Sequence, residues 1–364
     1  MNDLEEARRI IGETDREIAA LFVKRMEAVR RVAAYKKERG LPVYDPLREE
    51  ALIRANRSLV EDPELQEYYV TFQRDVMKTS RAYQERLIRG ARIAFSGVPG
   101  AFAAQAVSIL FPEGEAVPEP DFAAAYQAVE GGDCDCAVLP IENSFAGEVG
   151  TVCDLLFSGS LYITGVLNLA VTQNLLALPG ASLSGIRTVV SHPQALSQCA
   201  PFLKRHGWET REYGNTAQAA KFVVELGDLT FAAVGTEEAA RLYGLEVLAP
   251  KINESGQNTT RFAVLSRVPN DSAGREDDSF FLVFSVKNTA GSLAEAVNII
   301  GRHGYNMRSL HSRPLKDLLW QYYFYVEGEG NIRSENGESM LRELGTVCDR
   351  LKLVGAYPAA KGRV

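Results

Sequence analysis

Residues 92–102 read RIAFSGVPGAF, and at this point the texture of the chain changes. Ile93–Phe95 is a short apolar strand, Gly97–Gly100 a turn, and the alanines after it open a helix. As a dinucleotide-binding loop the turn fails. It lacks the G-x-G pair, and Pro99 removes one amide. A glycine-rich turn opening a helix can still offer backbone amides to a carboxylate. Upstream, the apolar residues recur at helical spacing: Leu4, Ile11, Ile18, Leu21, Val29 and Val32 mark one helix over 3–39, stopped by Gly40-Leu41-Pro42. Asp45-Pro46 and Asp62-Pro63 each pair a capping carboxylate with a proline suited to a first helical position. They predict a second helix to 59 or 60 and a third to 89. Downstream, short strands (136–139, 161–169, 188–190, 231–234, 261–265) alternate with helical stretches such as 101–110 and 216–226, which is α/β organisation. Past a polar linker at 269–278, the order strand (280–286), helix (293–303), strand (307–312), strand (319–326), helix (338–351) and a last strand suits a small α+β ferredoxin-like domain.

The expected architecture is therefore multidomain: an all-α helical domain at 1–89, an α/β domain at 92–268 and a ferredoxin-like domain at 279–364. Three helices, one of them roughly 55 Å long at about 1.5 Å per residue, cannot bury their own apolar stripes. A homodimer or higher homo-oligomer is expected. Residues 1–90 carry 18 Lys and Arg against 17 Asp and Glu, and the remainder 22 against 30. The stretch 93–186 holds no Lys or Arg at all. The net charge of −7 and interspersed acids exclude a nucleic-acid footprint. No apolar run suits a membrane span or a signal peptide, and five cysteines make no even disulfide framework, so the expected setting is cytoplasmic. Cys134-x-Cys136 lacks a second ligand pair, so no metal site is expected. His192, before Pro193, reads as a structural hydrogen-bonding residue, and Trp208 and Trp320 as core or interface residues.

Arg25 and Lys36 lie eleven residues apart on nearly one helical face, flanking Val29 and Val32. Read alone, they are cations snorkelling beside an apolar stripe. Arg8, Asp45, Arg48 and Glu49, and the i,i+4 pair Ser80 and Gln84, complete a polar set able to bind a small dianion. In its ordered spacing over residues 4–87, with Asp15 included, this set resembles the all-helical chorismate mutase family. The resemblance implies an intertwined dimer in which Arg8 of one chain enters the site of the other. Arg8, Arg25, Arg48 and Ser80 would hold the carboxylates of chorismate, and Asp45 and Glu49 would engage the ring hydroxyl. Lys36 and Gln84 would donate to the ether oxygen. The rearrangement to prephenate is pericyclic and needs no nucleophile or cofactor. It needs a compact conformer held in place and stabilisation of charge growing on the ether oxygen.

Pro140-Ile-Glu-Asn-Ser144, Ser191-His-Pro-Gln194 with Gln198, and Asn258-Thr-Thr-Arg-Phe262 resemble the motifs of prephenate dehydratases, in order, over 92–268. The family's fold is two α/β lobes around a cleft, like periplasmic binding proteins. Carried across, Asn143, Gln198 and Thr260 are catalytic candidates, and Ser144, Ser191 and Arg261 substrate-binding ones, with Gly147 and Asn258 shaping the cleft. Prephenate loses carbon dioxide and its ring hydroxyl as the ring becomes aromatic, so the site must hold a dianion and help hydroxide leave. Arg261 is the expected principal cation and Thr260 the expected donor. The family's hydroxyl residues after the glycine-rich turn are Ala101 and Ala103 here.

Asn288-Thr-Ala-Gly291-Ser292-Leu293 and His311-Ser312-Arg313-Pro314 resemble the two effector motifs of the amino-acid-sensing (ACT) domain that follows prephenate dehydratases. The resemblance implies phenylalanine as an allosteric inhibitor. His311 stands where the family has glutamate, and a histidine can change charge in the physiological range where a glutamate does not. The fused enzyme is the leading reading. A non-catalytic two-lobed ligand sensor, or a chain that keeps only one activity, are the alternatives.

Overall fold

A computed structural model describes residues 2–254, 258–270, 278–315 and 321–358, and the chain divides into two compact units, Met1–Ala91 and Arg92–Val364. The first unit holds helices α1 (Asp3–Arg39), α2 (Pro46–Arg57) and α3 (Pro63–Arg89). Each start is capped as its sequence suggests. Asn2 and Glu5 form a reciprocal capping box, and the Asp45 and Asp62 side chains accept from the amides of Arg48 and Glu64 at 3.1 and 2.9 Å. Such caps contribute about 1 kcal/mol each. Gly40 ends α1 at φ 63°, a left-handed conformation that any side chain would strain. Few side chains of this unit are buried: Val29, Ala33, Ile53, Met77, Ser80 and Gln84. Leu4, Ile11, Ile18 and Leu21 remain 57, 59, 45 and 64% exposed.

The second unit opens with β1 (Arg92–Ser96), α4 (Phe102–Leu110), β2 (Glu115–Glu119), α5 (Phe122–Glu130), β3 (Cys136–Asn143), β4 (Gly147–Glu148), α6 (Gly150–Ser158) and β5 (Tyr162–Ala170). The chain then crosses into a second lobe: β6 (Asn174–Ala177), β7 (Thr188–Ser191), α7 (Pro193–Gln198), α8 (Ala200–His206), β8 (Glu209–Glu212), α9 (Thr216–Leu226), β9 (Phe231–Gly235), α10 (Glu237–Tyr243) and β10 (Glu246–Ala249). It returns through β11 (Thr259–Ser266), which inserts between β3 and β5, antiparallel to both. The second lobe is one five-stranded sheet, β10-β6-β9-β7-β8. The two crossings run side by side, tied by Val171 N–H to the Asn258 carbonyl and Ile252 N–H to the Gln173 carbonyl, both 2.8 Å. Two α/β lobes joined by paired crossings agree with the expected two-lobed architecture.

The last segment is β12 (Asp278–Val286), α11 (Ser292–Arg302), β13 (Asn306–Pro314), β14 (Tyr322–Glu329), α12 (Glu335–Val347) and β15 (Cys348–Pro358). Its strand order, β13-β14-β12-β15, is that of a ferredoxin-like sheet. The expected helix over 338–351 ends at Val347, and 348–358 is instead a strand beside β12. The alternating Leu351, Leu353 and Gly355 fit a strand, and pairing with β12 overrides the local helical pattern. β15 also touches the first lobe through Gly355 beside Ile163, where a Cβ would sit on the Ile163 carbonyl. One continuous sheet thus joins the C-terminal domain to the strands that end at the cleft. Trp320 and nearly all of the linker lie outside the described residues. Trp208 stacks on His206, ring centroids 4.3 Å apart, and packs against the second lobe's core.

Candidate active sites

The helical unit encloses a cavity of about 230 Å3 lined by Arg25, Lys36, Asp45, Arg48, Glu49, Ser80 and Gln84, with Val29, Val32 and Met77 as apolar walls. Seven of the eight proposed binding and catalytic residues of this unit therefore meet. Arg8 does not. It is exposed on α1, seventeen residues before Arg25 and so roughly 25 Å away along the helix. Lys36 Nζ donates to the Val43 carbonyl at 2.6 Å, and Ser80 Oγ to the Val76 carbonyl at 2.7 Å. Gln84 Nε2 reaches the Ser80 carbonyl at 3.3 Å, leaving its buried Oε1 without a hydrogen-bond partner. That oxygen can accept from a ligand donor, and the second Nε2 hydrogen is left for a ligand acceptor. Arg81 also lines the cavity and pairs with Glu49. It repeats with Met77 and Gln84 at i, i+4 and i, i+3 spacing, a signal that could have found it.

Between the lobes of the second unit lies a cavity of about 170 Å3 lined by Asn143, Gln198 and Thr260, with Phe102, Gln173, His192, Gln194, Asn215 and Thr216 around them. β3 and β11 place Asn143 and Thr260 directly opposite each other. Asn143 Nδ2 donates to Thr260 Oγ1 and to Asn258 Oδ1, both 2.9 Å, while its Oδ1 accepts from the Phe145 and Ala146 amides at 3.0 and 2.9 Å. The Thr260 oxygen is thus engaged as an acceptor, which leaves its hydroxyl hydrogen for another partner. Gln173 Nε2 reaches Gln198 Oε1 at 3.4 Å, and Gln173 Oε1 is buried with no partner. His192 caps α7, Nδ1 accepting from the Gln194 amide at 3.3 Å, as the structural reading expected. Sequence reasoning missed Gln173, Asn215 and Thr216, which sit on a crossing and at the start of α9 outside any quoted motif. A larger cavity, about 660 Å3 between α4 and α10, holds none of the catalytic candidates.

Three expectations change here. No Lys or Arg lines this cleft among the described residues. Arg261 neighbours Thr260 on one strand, so its side chain leaves by the opposite face of the sheet. There it meets Glu142 Oε2 at 2.9 Å and Glu327 at 2.6 and 2.5 Å, and Tyr357 donates to the same Glu327 at 2.9 Å. Burial pulls the Arg261 pKa down, and the hydrogen bonds and charges of Glu327 and Glu142 more than reverse this. Ser191 is fully buried and donates to the Val234 carbonyl at 2.7 Å, which closes it to substrate. Ser144 Oγ accepts from the Thr259 amide at 2.9 Å and helps hold β3 to β11 without lining the cleft. Cleft and helix ends do converge: α4, α7 and α9 all begin at its wall. At α4 the N-cap is Ala101, with no side-chain hydrogen bond to the first turn.

In the C-terminal domain Gly291 takes φ 88° before α11, and Thr289 and Ser292 share a hydroxyl hydrogen bond of 2.7 Å. Leu293 packs on that domain's core, and Asn288 precedes the turn. Ser312 and Pro314 are exposed on β13. His311 and Arg313 face the first lobe instead. Arg313 binds Asp154 at 2.8 and 3.2 Å and Glu148 at 3.1 Å. His311 Nδ1 lies 3.3 Å from Glu148 Oε2, its ring stacked on Tyr325. Burial pushes the thiols of Cys153 and Cys199 up to about 12 and those of Cys134 and Cys348 up to about 11, so all are protonated near neutrality. No metal-binding cluster occurs among the described residues, and none of the described helices is long and apolar enough to cross a membrane.

Comparison with known proteins covers both units. The family described as chorismate mutase type II matches residues 7–85, and prephenate dehydratase matches 93–270. The bifunctional chorismate mutase/prephenate dehydratase of Neisseria gonorrhoeae is 33% identical over 356 residues, spanning 97% of this chain and 96% of the relative. The solved prephenate dehydratase of Arthrobacter aurescens in complex with L-Phe is 26% identical with a TM-score of 0.68, covering 74% of this chain and 90% of that one. The solved structure of GqqA, described as a novel type of quorum quenching acylases, is 32% identical with a TM-score of 0.69, covering 74% of this chain and 98% of that one. Similarity across almost the whole length of both activities, over the two cavities just described, means that the chain belongs to the bifunctional chorismate mutase/prephenate dehydratase family and is an enzyme of aromatic amino acid biosynthesis with both activities.

Proposed function

We propose that the helical cavity rearranges chorismate and the interlobe cleft dehydrates prephenate with the residues described above, and that phenylalanine restrains the second step. In the first, Arg25, Arg48 and Ser80, joined by Arg8 from a second copy, hold the two carboxylates. Asp45 and Glu49 meet the ring hydroxyl. Lys36 and Gln84 aim at the ether oxygen, where negative charge grows as the bond breaks. The exposed stripe Leu4, Ile11, Ile18 and Leu21 supports a homodimer, because a lone chain would leave that apolar face in water.

In the second, the amides at the starts of α4, α7 and α9 receive the carboxylates of prephenate. Asn143 holds the Thr260 oxygen as an acceptor, so the hydroxyl hydrogen turns to the departing ring hydroxyl. As the carboxylate leaves as carbon dioxide, its bonding pair enters the ring and hydroxide departs with that assistance. Gln173 and Gln198 bound the cleft on the second lobe's side. The observation that carries this reading is that Asn143, Gln198 and Thr260, from three distant motifs, line one cavity. Thr260→Ala should lower dehydration turnover about a hundredfold and leave the mutase unchanged. Unchanged dehydration in that variant removes Thr260 from the chemistry.

The ferredoxin-like sheet and the two motifs support an amino-acid-sensing domain at 279–364, as helical and dehydratase domains are supported at 1–89 and 92–268. The phenylalanine site then draws on Asn288, Gly291, Ser292 and Leu293, with Ser312 and Pro314 on β13. His311 and Arg313 act from the other face of that strand, at the dehydratase lobe. Five cysteines that form no disulfide support a reducing, cytoplasmic setting. Calorimetric titration of the full chain with phenylalanine tests the effector, and no heat of binding rejects it.

A further inference from the structure

We propose that Arg81 is a positioning residue of the mutase reaction, fixing both Glu49 and the backbone that orients Lys36. The proposal rests on the roles given above to Glu49 and Lys36. Arg81 sits on the cavity face of α3 and forms an ion pair with Glu49 of α2, their side chains 29 and 24% exposed. Its guanidinium carbon also lies 4.9 Å from the Tyr44 ring centroid. Tyr44 belongs to the connection between α1 and α2. The residue before it, Val43, supplies the carbonyl that holds Lys36 Nζ at 2.6 Å, and the residue after it, Asp45, caps α2. One side chain of α3 therefore clamps the helix bearing Glu49 and the connection that aims Lys36.

The pairing also decides what Lys36 does. A carboxylate and an ammonium lining one small cavity would ordinarily pair, and Lys36 would then give a donor to Glu49. With Arg81 on Glu49, the lysine rests instead on a neutral carbonyl, a weaker partner that an ether oxygen gaining negative charge can displace. Stacking on Tyr44 suits the planar guanidinium and not an ammonium, so lysine restores the charge without the full clamp.

The test uses the full chain as Arg81→Met, Arg81→Lys, Glu49→Gln and the double variant Glu49→Gln/Arg81→Met. Prephenate dehydration in the same molecules serves as the unchanged reference. Arg81→Met should lower mutase kcat about tenfold with KM within about twofold, as expected for a lost charge-assisted contact that matters in the transition state. Arg81→Lys should recover part of kcat, and Arg81→Met should cost less in the Glu49→Gln background than alone, the remainder being the lost Tyr44 contact. A raised KM with unchanged kcat makes Arg81 a substrate contact and overturns the proposal, as does full additivity with Glu49→Gln. Normal mutase turnover in Glu49→Gln alone sinks the underlying site reading instead.

Discussion

Arg261→Ala separates a structural cation from a substrate cation. The Glu327 carboxylate is 1% exposed and accepts from both guanidinium nitrogens of Arg261 and from Tyr357. Removing one member of a buried pair costs about 3–5 kcal/mol, because the other is left without compensation. Tyr357 continues to donate, and the Arg261 side chain keeps 21% of its surface in water, which places the loss at the lower end, about 3 kcal/mol. For a unit of this size that lowers the melting temperature by roughly 6–12 °C. Differential scanning calorimetry of the full chain should show this in the transition of the α/β unit. The KM for prephenate should stay within about twofold, since Arg261 points away from the cleft. Arg261→Ala combined with Glu327→Gln should recover more than half of the stability, because the orphaned charge is gone. A tenfold rise in KM with an unchanged melting temperature would refute the opposite-face placement and return Arg261 to the substrate.

Other substitutions test the remaining contacts. Lys36→Met should lower mutase turnover by about 10²–10³, the cost of removing one donor from a growing oxyanion, and spare dehydration; turnover at the wild-type rate rejects the assignment. His311→Glu places a carboxylate beside Glu148, so the melting temperature should fall by a few degrees at low salt and recover as salt screens the repulsion. A salt-independent loss would point to packing on Tyr325 instead. His303 faces two acceptors, Asn336 Oδ1 at 2.9 Å and Glu343 Oε2 at 2.8 Å, and the first hydrogen bond, then the second, raises its pKa despite neighbouring Arg302. Raised in the fold, it contributes stability below the unfolded value near 6.5 that is lost as pH rises through the folded value. His303→Gln should therefore lie furthest below wild type in melting temperature in acid and converge with it towards alkaline pH. A gap that does not vary with pH would exclude the charged histidine.

What the sequence disclosed follows the range over which each signal acts. Helix starts at Asp45-Pro46 and Asp62-Pro63 are local hydrogen-bond chemistry, and they appear where they were read. The 3.6-residue period related Arg25 to Lys36 and Ser80 to Gln84 along single helices, and the resemblance to the chorismate mutase family joined the sets of the three helices. The dehydratase cleft is different, because its walls come from crossings and helix ends that no period marks. Gln173 becomes visible only when the second lobe folds back against the first. Asn258-Thr-Thr-Arg-Phe262 shows the limit most clearly. A motif is read as a unit, yet in a strand its successive residues serve opposite sides of the sheet. Thr260 opposite Asn143 faces the cleft, and Arg261 opposite Glu142 faces the C-terminal domain. The same two-residue period orders β13, where His311 and Arg313 turn to Glu148 and Asp154 while Ser312 and Pro314 turn outward. Each motif therefore turns one face to the joint with the neighbouring segment and the other away from it. The absence of Lys and Arg from the described residues of the cleft follows directly, since the arginine next to Thr260 is committed to that joint, and the proposed reading therefore assigns the substrate carboxylates to amides at three helix ends.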